Sequence, residues 1–156
     1  MSMDSQDGVS AKQLYQELGS DDTATEAPEG ESSSERIVAE VRAELPVDRE
    51  FRFDEDLLKK SLDDLLLVLI ALQDGGAHGK GLMGELASSF DVHLSPGTVY
   101  PRLHSLEEEG LLEVHELVQT KKYSIADEER VRRRVERTLQ HHLAIGSVFH
   151  AALAEI

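Results

Sequence analysis

The chain of 156 residues contains no cysteine and no tryptophan. Without cysteine it forms no disulfide, no thiolate zinc site and no thiol redox switch. Four Phe and three Tyr are its only aromatic residues, so a flat, aromatic-lined ligand pocket is not expected. Long apolar runs are missing as well. The run at 65–72 has eight residues, against the ~18 needed to cross a bilayer. The first residues are acidic and polar, not basic and then apolar, so no secretory signal is read there. A soluble, cytoplasmic protein with no membrane partner is expected. Lysine is scarce, with six against ten arginines. The signatures of catalysis are also lacking. There is no phosphate-cradling glycine loop, no nucleophile elbow and no paired-carboxylate context, so no enzyme and no cofactor are expected.

Acid is in excess. The chain carries 31 acidic and 16 basic residues, a net charge of −15. Residues 1–56 hold 16 acids and 5 bases, a net of −11, and residues 57–156 hold 15 and 11, a net of −4. An acidic tail alone would leave the remainder near neutral, and it does not. The balance matches proteins of halophilic archaea, whose hydrated acidic surfaces suit molar salt. A nucleic-acid-binding domain is usually basic. DNA binding by this chain therefore requires its acids to lie away from the DNA face, and salt to screen the rest.

Residues 95–110 specify a helix with a particular leading edge. Ser95 suits the N-cap, and Pro96 the first helical position, where its missing N–H costs nothing. Leu94 and Val99 have the spacing of a hydrophobic staple. Val99, Leu103 and Leu106 recur at four and three residues and define a buried face. Gly110 stands where a left-handed residue ends a helix. The remaining face carries Ser95, Gly97, Thr98, Tyr100, Arg102 and His104. Small, hydroxyl and basic groups at a positive helix end suit a phosphate backbone and a groove. Pro101 conflicts with the helix, because it removes a backbone hydrogen bond and should kink the chain at roughly 3 kcal/mol.

The flanking pattern completes a helix-turn-helix with a wing. Leu82, Leu86 and Phe90 mark the inward face of a helix over 79–91, and a short turn at 92–94 leads into the helix above. Before it, a helix over 57–73 buries Leu58, Leu62, Leu65, Leu66, Leu69 and Leu72. Gly75-Gly76 ends it. Strand-like segments at 111–118 and 122–126 alternate in polarity and suit a hairpin, although Gln119-Thr120 lacks the residues a tight turn prefers. Lys121 and Lys122 at the wing tip are placed to reach phosphates. Upstream, Ser32 and Glu35 have capping-box spacing, opening a helix with Ile37, Val38, Val41 and Leu45 apolar. A short helix is expected at 10–18, and 19–33 read as a linker with almost nothing to bury.

The last segment, 127–155, is a helix of roughly 42 Å at 1.5 Å per residue. Val131, Val135, Leu139, His142, Gly146, Phe149 and Leu153 recur along it at three and four residues. So long a stripe in so small a domain calls for a partner chain. Arg130, Arg132, Arg133, Arg134 and Arg137 spread over several faces and are expected to pair with Glu128, Glu129 and Glu136 at helical spacing, or with an acidic partner subunit, more than with DNA. His141, His142 and His150 do not suggest a metal. Consecutive histidines point about 100° apart, and no zinc-site spacing occurs.

The run from Ser95 through Leu111 resembles the signature of the PadR family, Ser-x-Gly-Thr-[Leu/Val]-Tyr-Pro-x-Leu-x-x-Leu-Glu-x-x-Gly-Leu, including Tyr100-Pro101. The similarity extends over about residues 57–156 and includes His78-Gly79, with Lys80 where a tyrosine is common. The resemblance implies a winged helix-turn-helix transcriptional regulator, dimeric through its C-terminal helix. The expected fold is mainly α with a small β-hairpin wing. Its expected parts are a flexible acidic segment at 1–33, a helix and connector at 34–56, a DNA-binding domain at 57–126 and a dimerisation helix at 127–156. The expected function is sequence-specific binding of double-stranded DNA as a homodimer on a palindromic site, with repression as the expected direction. Ionic strength, an unknown effector or a protein partner would supply the signal. The alternative is a winged-helix interaction module with no direct DNA contact.

Overall fold

Ser32 opens the first helix with a reciprocal capping box. Its hydroxyl accepts from the Glu35 N–H at 3.2 Å, while its own N–H donates to the Glu35 carboxylate at 3.1 Å. The structure is a computed structural model and describes residues 30–45, 47–48 and 50–156. The short helix expected at 10–18 and most of the acidic segment lie outside the described residues. Helix α1, Ser33–Glu44, is followed by α2, Glu55–Lys60, and α3, Leu62–Ala71; then come strand β1, Ala77–His78, and helices α4, Gly79–Phe90, and α5, Pro96–Glu108. The wing strands are β2, Leu112–Glu116, and β3, Lys121–Ile125, and α6, Glu128–Leu153, ends the chain.

The helix expected at 57–73 is two helices. The chain leaves helical geometry at Ser61 (φ −110°, ψ 17°), whose N–H donates to the Leu58 carbonyl at 3.0 Å. The break has a packing reason. Helix α3 buries Leu62, Leu66, Leu67, Leu69 and Ile70, nearly all round, whereas α2 buries Leu58 and leaves Leu57 exposed. A single straight helix cannot serve both environments.

The sheet is antiparallel in the order β1-β3-β2. Leu112 faces Ile125, Val114 faces Tyr123 and Glu116 faces Lys121. The wing tip is the four-residue stretch 117–120, closed by the Leu117 N–H donating to the Thr120 carbonyl at 2.8 Å. At the tip β2 thus stops at Glu116, short of the expected 118, while β3 already begins at Lys121, ahead of the expected 122. Strand β1 was not legible in the pattern, being only two residues long. Gly76 (φ 94°) brings it onto β3, and a Cβ there would stand 2.5 Å from the Tyr123 carbonyl oxygen.

Two compact units divide the chain, and their described residues lie within 30–135 and 136–156. The core of the larger one gathers α3, α4 and α5 around Leu62, Leu66, Leu82, Leu86, Leu103 and Leu106, with Tyr123 from β3 and Val131 from the start of α6. Helix α1 lies on α4, where the hydroxyls of Ser34 and Ser89 share a buried hydrogen bond of 2.9 Å. Phe51, Phe53 and Phe90 stack edge to face beside it, at centroid distances of 5.2 and 5.1 Å.

Candidate nucleic-acid interface

Helix α5 begins as the residues require. Leu94 and Val99 are both buried, as a hydrophobic staple demands. Ser95 holds the N-cap position by its backbone, its carbonyl accepting from the Thr98 and Val99 N–H groups at 3.0 and 3.2 Å. Its hydroxyl makes no cap bond and instead lies 3.2 Å from the Thr98 hydroxyl. At the other end, Gly110 (φ 77°) forms a Schellman cap. Leu111 N–H donates to the Leu106 carbonyl at 3.0 Å and Gly110 N–H to the Glu107 carbonyl at 2.9 Å. Helical geometry continues through Pro101, whose ring faces solvent.

The buried row Val99, Leu103 and Leu106 fixes which side of α5 is outward. Ser95, Gly97, Tyr100 and His104 are exposed on it and Thr98 is half-buried. His104 lies between two carboxylates, with Nε2 3.2 Å from Glu108 and Nδ1 3.8 Å from Glu107. Tyr100 leans across the start of α4 and, together with His78, Gly79, Lys80 and the wing residues 116–121, lines a groove of about 500 Å³. His78 Nδ1 donates to the Lys121 carbonyl at 3.2 Å and so ties the groove floor to β3. Lys80 is the groove residue that spacing alone did not single out.

Two of the expected contacts, Arg102 and Lys122, are placed away from this groove. Arg102 is half-buried, and its guanidinium donates to Asp63 on α3 at 3.2 Å, an internal pair that turns it from the outward face. Lys121 and Lys122 do not act as a pair, because successive strand residues point to opposite faces. Lys121 lines the groove beside Tyr100, 3.7 Å from Glu116. Lys122 lies against the Gly75-Gly76 turn, on a separate hollow with Ile70, His115 and Ser124.

Arg134 secures α6 to the two helices behind this surface. It donates to Asp64 at 2.8 Å and to Glu109 at 3.0 Å and approaches Asp63 at 3.8 Å. Burial alone would lower its affinity for the proton, but hydrogen bonds and charge from Asp64 and Glu109 outweigh this and raise its pKa. Arg133 pairs with Glu129 one turn away at 2.7 Å, as helical spacing implied.

The stripe along α6 divides. Val131, only 5% exposed, belongs to the chain's own core, and Val135 packs against it. Val131 thus serves the chain's own core, and Val135 is partly covered by it. In the smaller unit Leu139 is half-buried and His142 donates from Nδ1 to the Thr138 carbonyl at 2.8 Å. Ile145, Gly146, Val148, Phe149 and Leu153 are exposed. Among the described residues no group of three or more His, Asp or Glu is placed to hold a metal ion, and no helix is long and apolar enough to cross a membrane.

Comparison with known proteins agrees with this architecture. The profile of the transcriptional regulator PadR-like family matches residues 67–134, from α3 into the first turns of α6. The transcriptional activator GvpE of Haloferax mediterranei is 39% identical over 102 residues, 65% of this chain and 52% of that protein. The transcriptional activator GvpE1 of Halobacterium salinarum is 33% identical over 135 residues, 86% of this chain and 70% of that protein. The chain thus spans about half the length of the first relative. Both relatives come from halophilic archaea, in keeping with the acidic composition. Two solved structures share the fold. A transcriptional regulator from Clostridium thermocellum is 17% identical with a TM-score of 0.51, covering 60% of this chain and 95% of its own. A PadR-like transcriptional regulator from Bacillus cereus is 22% identical with a TM-score of 0.50, covering 65% and 98%. From the signature on α5, the winged-helix architecture and the match to GvpE1 over most of both chains, this protein belongs to the PadR-like family of transcriptional regulators, which are not enzymes.

Proposed function

We propose that the protein is a sequence-specific DNA-binding activator of transcription that works as a homodimer on a two-fold-related pair of half-sites. The observation that carries this is the outward face of α5. Ser95, Gly97, Thr98, Tyr100 and His104 stand over the buried Val99, Leu103 and Leu106, with Lys80 and Lys121 flanking. Small, hydroxyl and imidazole groups at the N-terminal half of a helix suit base edges and phosphates at the major groove, and the flanking lysines suit phosphates. Arg102 and Lys122 are left out of the DNA-contacting set because each has a place within the fold. Activation replaces the expected repression because the GvpE relatives are named activators. The exposed apolar residues of α6, Ile145, Val148, Phe149 and Leu153, supply the dimer contact, with half-sites about one helical turn or a multiple of it apart.

The test is affinity selection of sheared genomic DNA by the purified chain in molar KCl, followed by sequencing. Recovery of a few intergenic fragments sharing an inverted repeat, lost on Thr98→Ala plus Lys121→Ala, is the expected result. Uniform recovery means non-specific, architectural binding. No recovery at any salt overturns the reading and leaves an interaction module. A reporter behind a recovered fragment, raised by the protein, distinguishes activation from repression.

A further inference from the structure

Gly79 opens α4 and is buried, yet it has a negative φ, so backbone strain does not explain a glycine there. What it excludes is a side chain. A Cβ at position 79 would stand 2.6 Å from Tyr100 Cε1 and 2.7 Å from both its Cζ and its hydroxyl oxygen. Unstrained carbon contacts lie at about 3.5–4.0 Å. The tyrosine ring therefore occupies the space that the glycine leaves empty. Its other face is open, with Tyr100 39% exposed, so the ring is free to swing outward and the core need not yield.

We infer that Gly79 is a positioning residue for Tyr100. Its missing side chain lets the ring and hydroxyl lie across the start of α4, in the groove that Lys80 and Lys121 line. There the tyrosine presents one fixed hydroxyl to a DNA phosphate, held between α4, α5 and the wing. An alanine at 79 keeps the helix and displaces the ring by about 1 Å, the gap between the contact made and ordinary van der Waals separation. A hydrogen bond to phosphate tolerates little of that, since it needs a donor–acceptor distance of about 2.5–3.0 Å. Gly81, one residue beyond Lys80 on the same turn, has nothing within 4 Å of its Cβ position and is the matched control. The inference rests on the DNA-binding reading above.

Four variants of the full chain test it: Gly79→Ala, Gly81→Ala, Tyr100→Ala and the double variant Gly79→Ala/Tyr100→Ala. Affinity is measured on a fragment enriched in the genomic selection, alongside thermal unfolding. Gly79→Ala is expected to weaken binding about tenfold, the scale of one lost contact, without lowering the melting midpoint, while Gly81→Ala leaves binding unchanged. The double variant should bind no worse than Tyr100→Ala, because the glycine acts only through the ring. An additive loss, or an equal loss from Gly81→Ala, overturns the inference. A second readout is independent of DNA. The chain has only three tyrosines, and the Tyr100 ring resonances, assigned with Tyr100→Phe, should shift in Gly79→Ala and not in Gly81→Ala. Unmoved resonances overturn the inference whatever the affinity. If the wild-type chain binds no DNA, it is the DNA reading that falls, and the ring shift alone decides whether Gly79 positions Tyr100.

Discussion

At the scale of single residues, the charges nearest the fold's centre do structural work. Arg134 holds carboxylates from α3 and from the end of α5, and Arg102 takes the second oxygen of Asp63. Removing Arg134 leaves Asp64 and Glu109 partly buried without their cation. Arg134→Met is expected to cost about 1–2 kcal/mol, less than a fully buried pair because the side chain keeps some solvent contact. Urea unfolding measures it, and molar KCl should shrink the loss. Glu85 on α4 is the opposite case. Its Oε2 is buried without a hydrogen-bond partner. Burial pushes its carboxyl above the usual carboxylate range, Glu35 adds to this, and hydrogen bonding from Gln73 and Ser34 offsets only part. A raised folded pKa means the folded state binds the proton more tightly. The favourable contribution is full below the unfolded pKa and is lost as pH rises through the folded one. Glu85→Gln should therefore raise the melting midpoint at pH 7 and change nothing at pH 3.5; equal shifts at both values would contradict the assignment.

At the scale of elements, α5 shows how a helix carries a locally unfavourable residue. Pro101 forgoes its backbone hydrogen bond, and the Gly97 carbonyl one turn earlier loses a partner. The staple at Leu94 and Val99 and the Schellman cap at Gly110 secure the two ends around it. Gly110→Ala tests the cap. A Cβ there would meet Arg130 Nη1 at an ordinary 3.4 Å, so the cost comes from φ 77° and not from crowding. Denaturant titration should show a loss of about 1–2 kcal/mol, the cost of a left-handed alanine. The wing makes the same point about alternation. The β3 strand sends Lys121 to the groove and Lys122 to the opposite face, so Lys121→Ala should weaken DNA binding more than Lys122→Ala.

At the scale of the whole molecule, the charge of −15 opposes compaction at low ionic strength. Raising KCl from 0.1 to 2 M should raise the melting midpoint, and a midpoint that falls would mean that specific ion pairs outweigh the net repulsion. In the proposed dimer the exposed residues of α6 make the contact between chains. Phe149, 65% exposed, contributes nothing to the chain's own described core. Phe149→Glu should leave the thermal transition of the larger unit in place while light scattering reports a monomer, and cooperative DNA binding should be lost with it. A variant that remains dimeric would move the contact elsewhere.

The α5 helix, its cap residues and its buried row were legible in the sequence because periodicity and capping are local, set by residues three and four apart. The same holds for α1, for the antiparallel wing and for the family signature. Tertiary structure decided the rest, because it depends on partners distant in the chain. No spacing rule pairs Arg102 with Asp63 or Arg134 with Asp64, 39 and 70 residues apart. The α6 stripe looks uniform as a pattern, yet Val131 closes the chain's own core and Phe149 stays exposed, since a helical period reports that a face is apolar and not what covers it. The break at Ser61 came from the different burial of α2 and α3. Strand β1 came from the Gly75-Gly76 turn, which brought it onto β3. And Gly79 stands in the sequence beside His78 as part of the family pattern, with no reason visible for a glycine there; only the packed fold sets the Tyr100 ring in the place of its missing side chain.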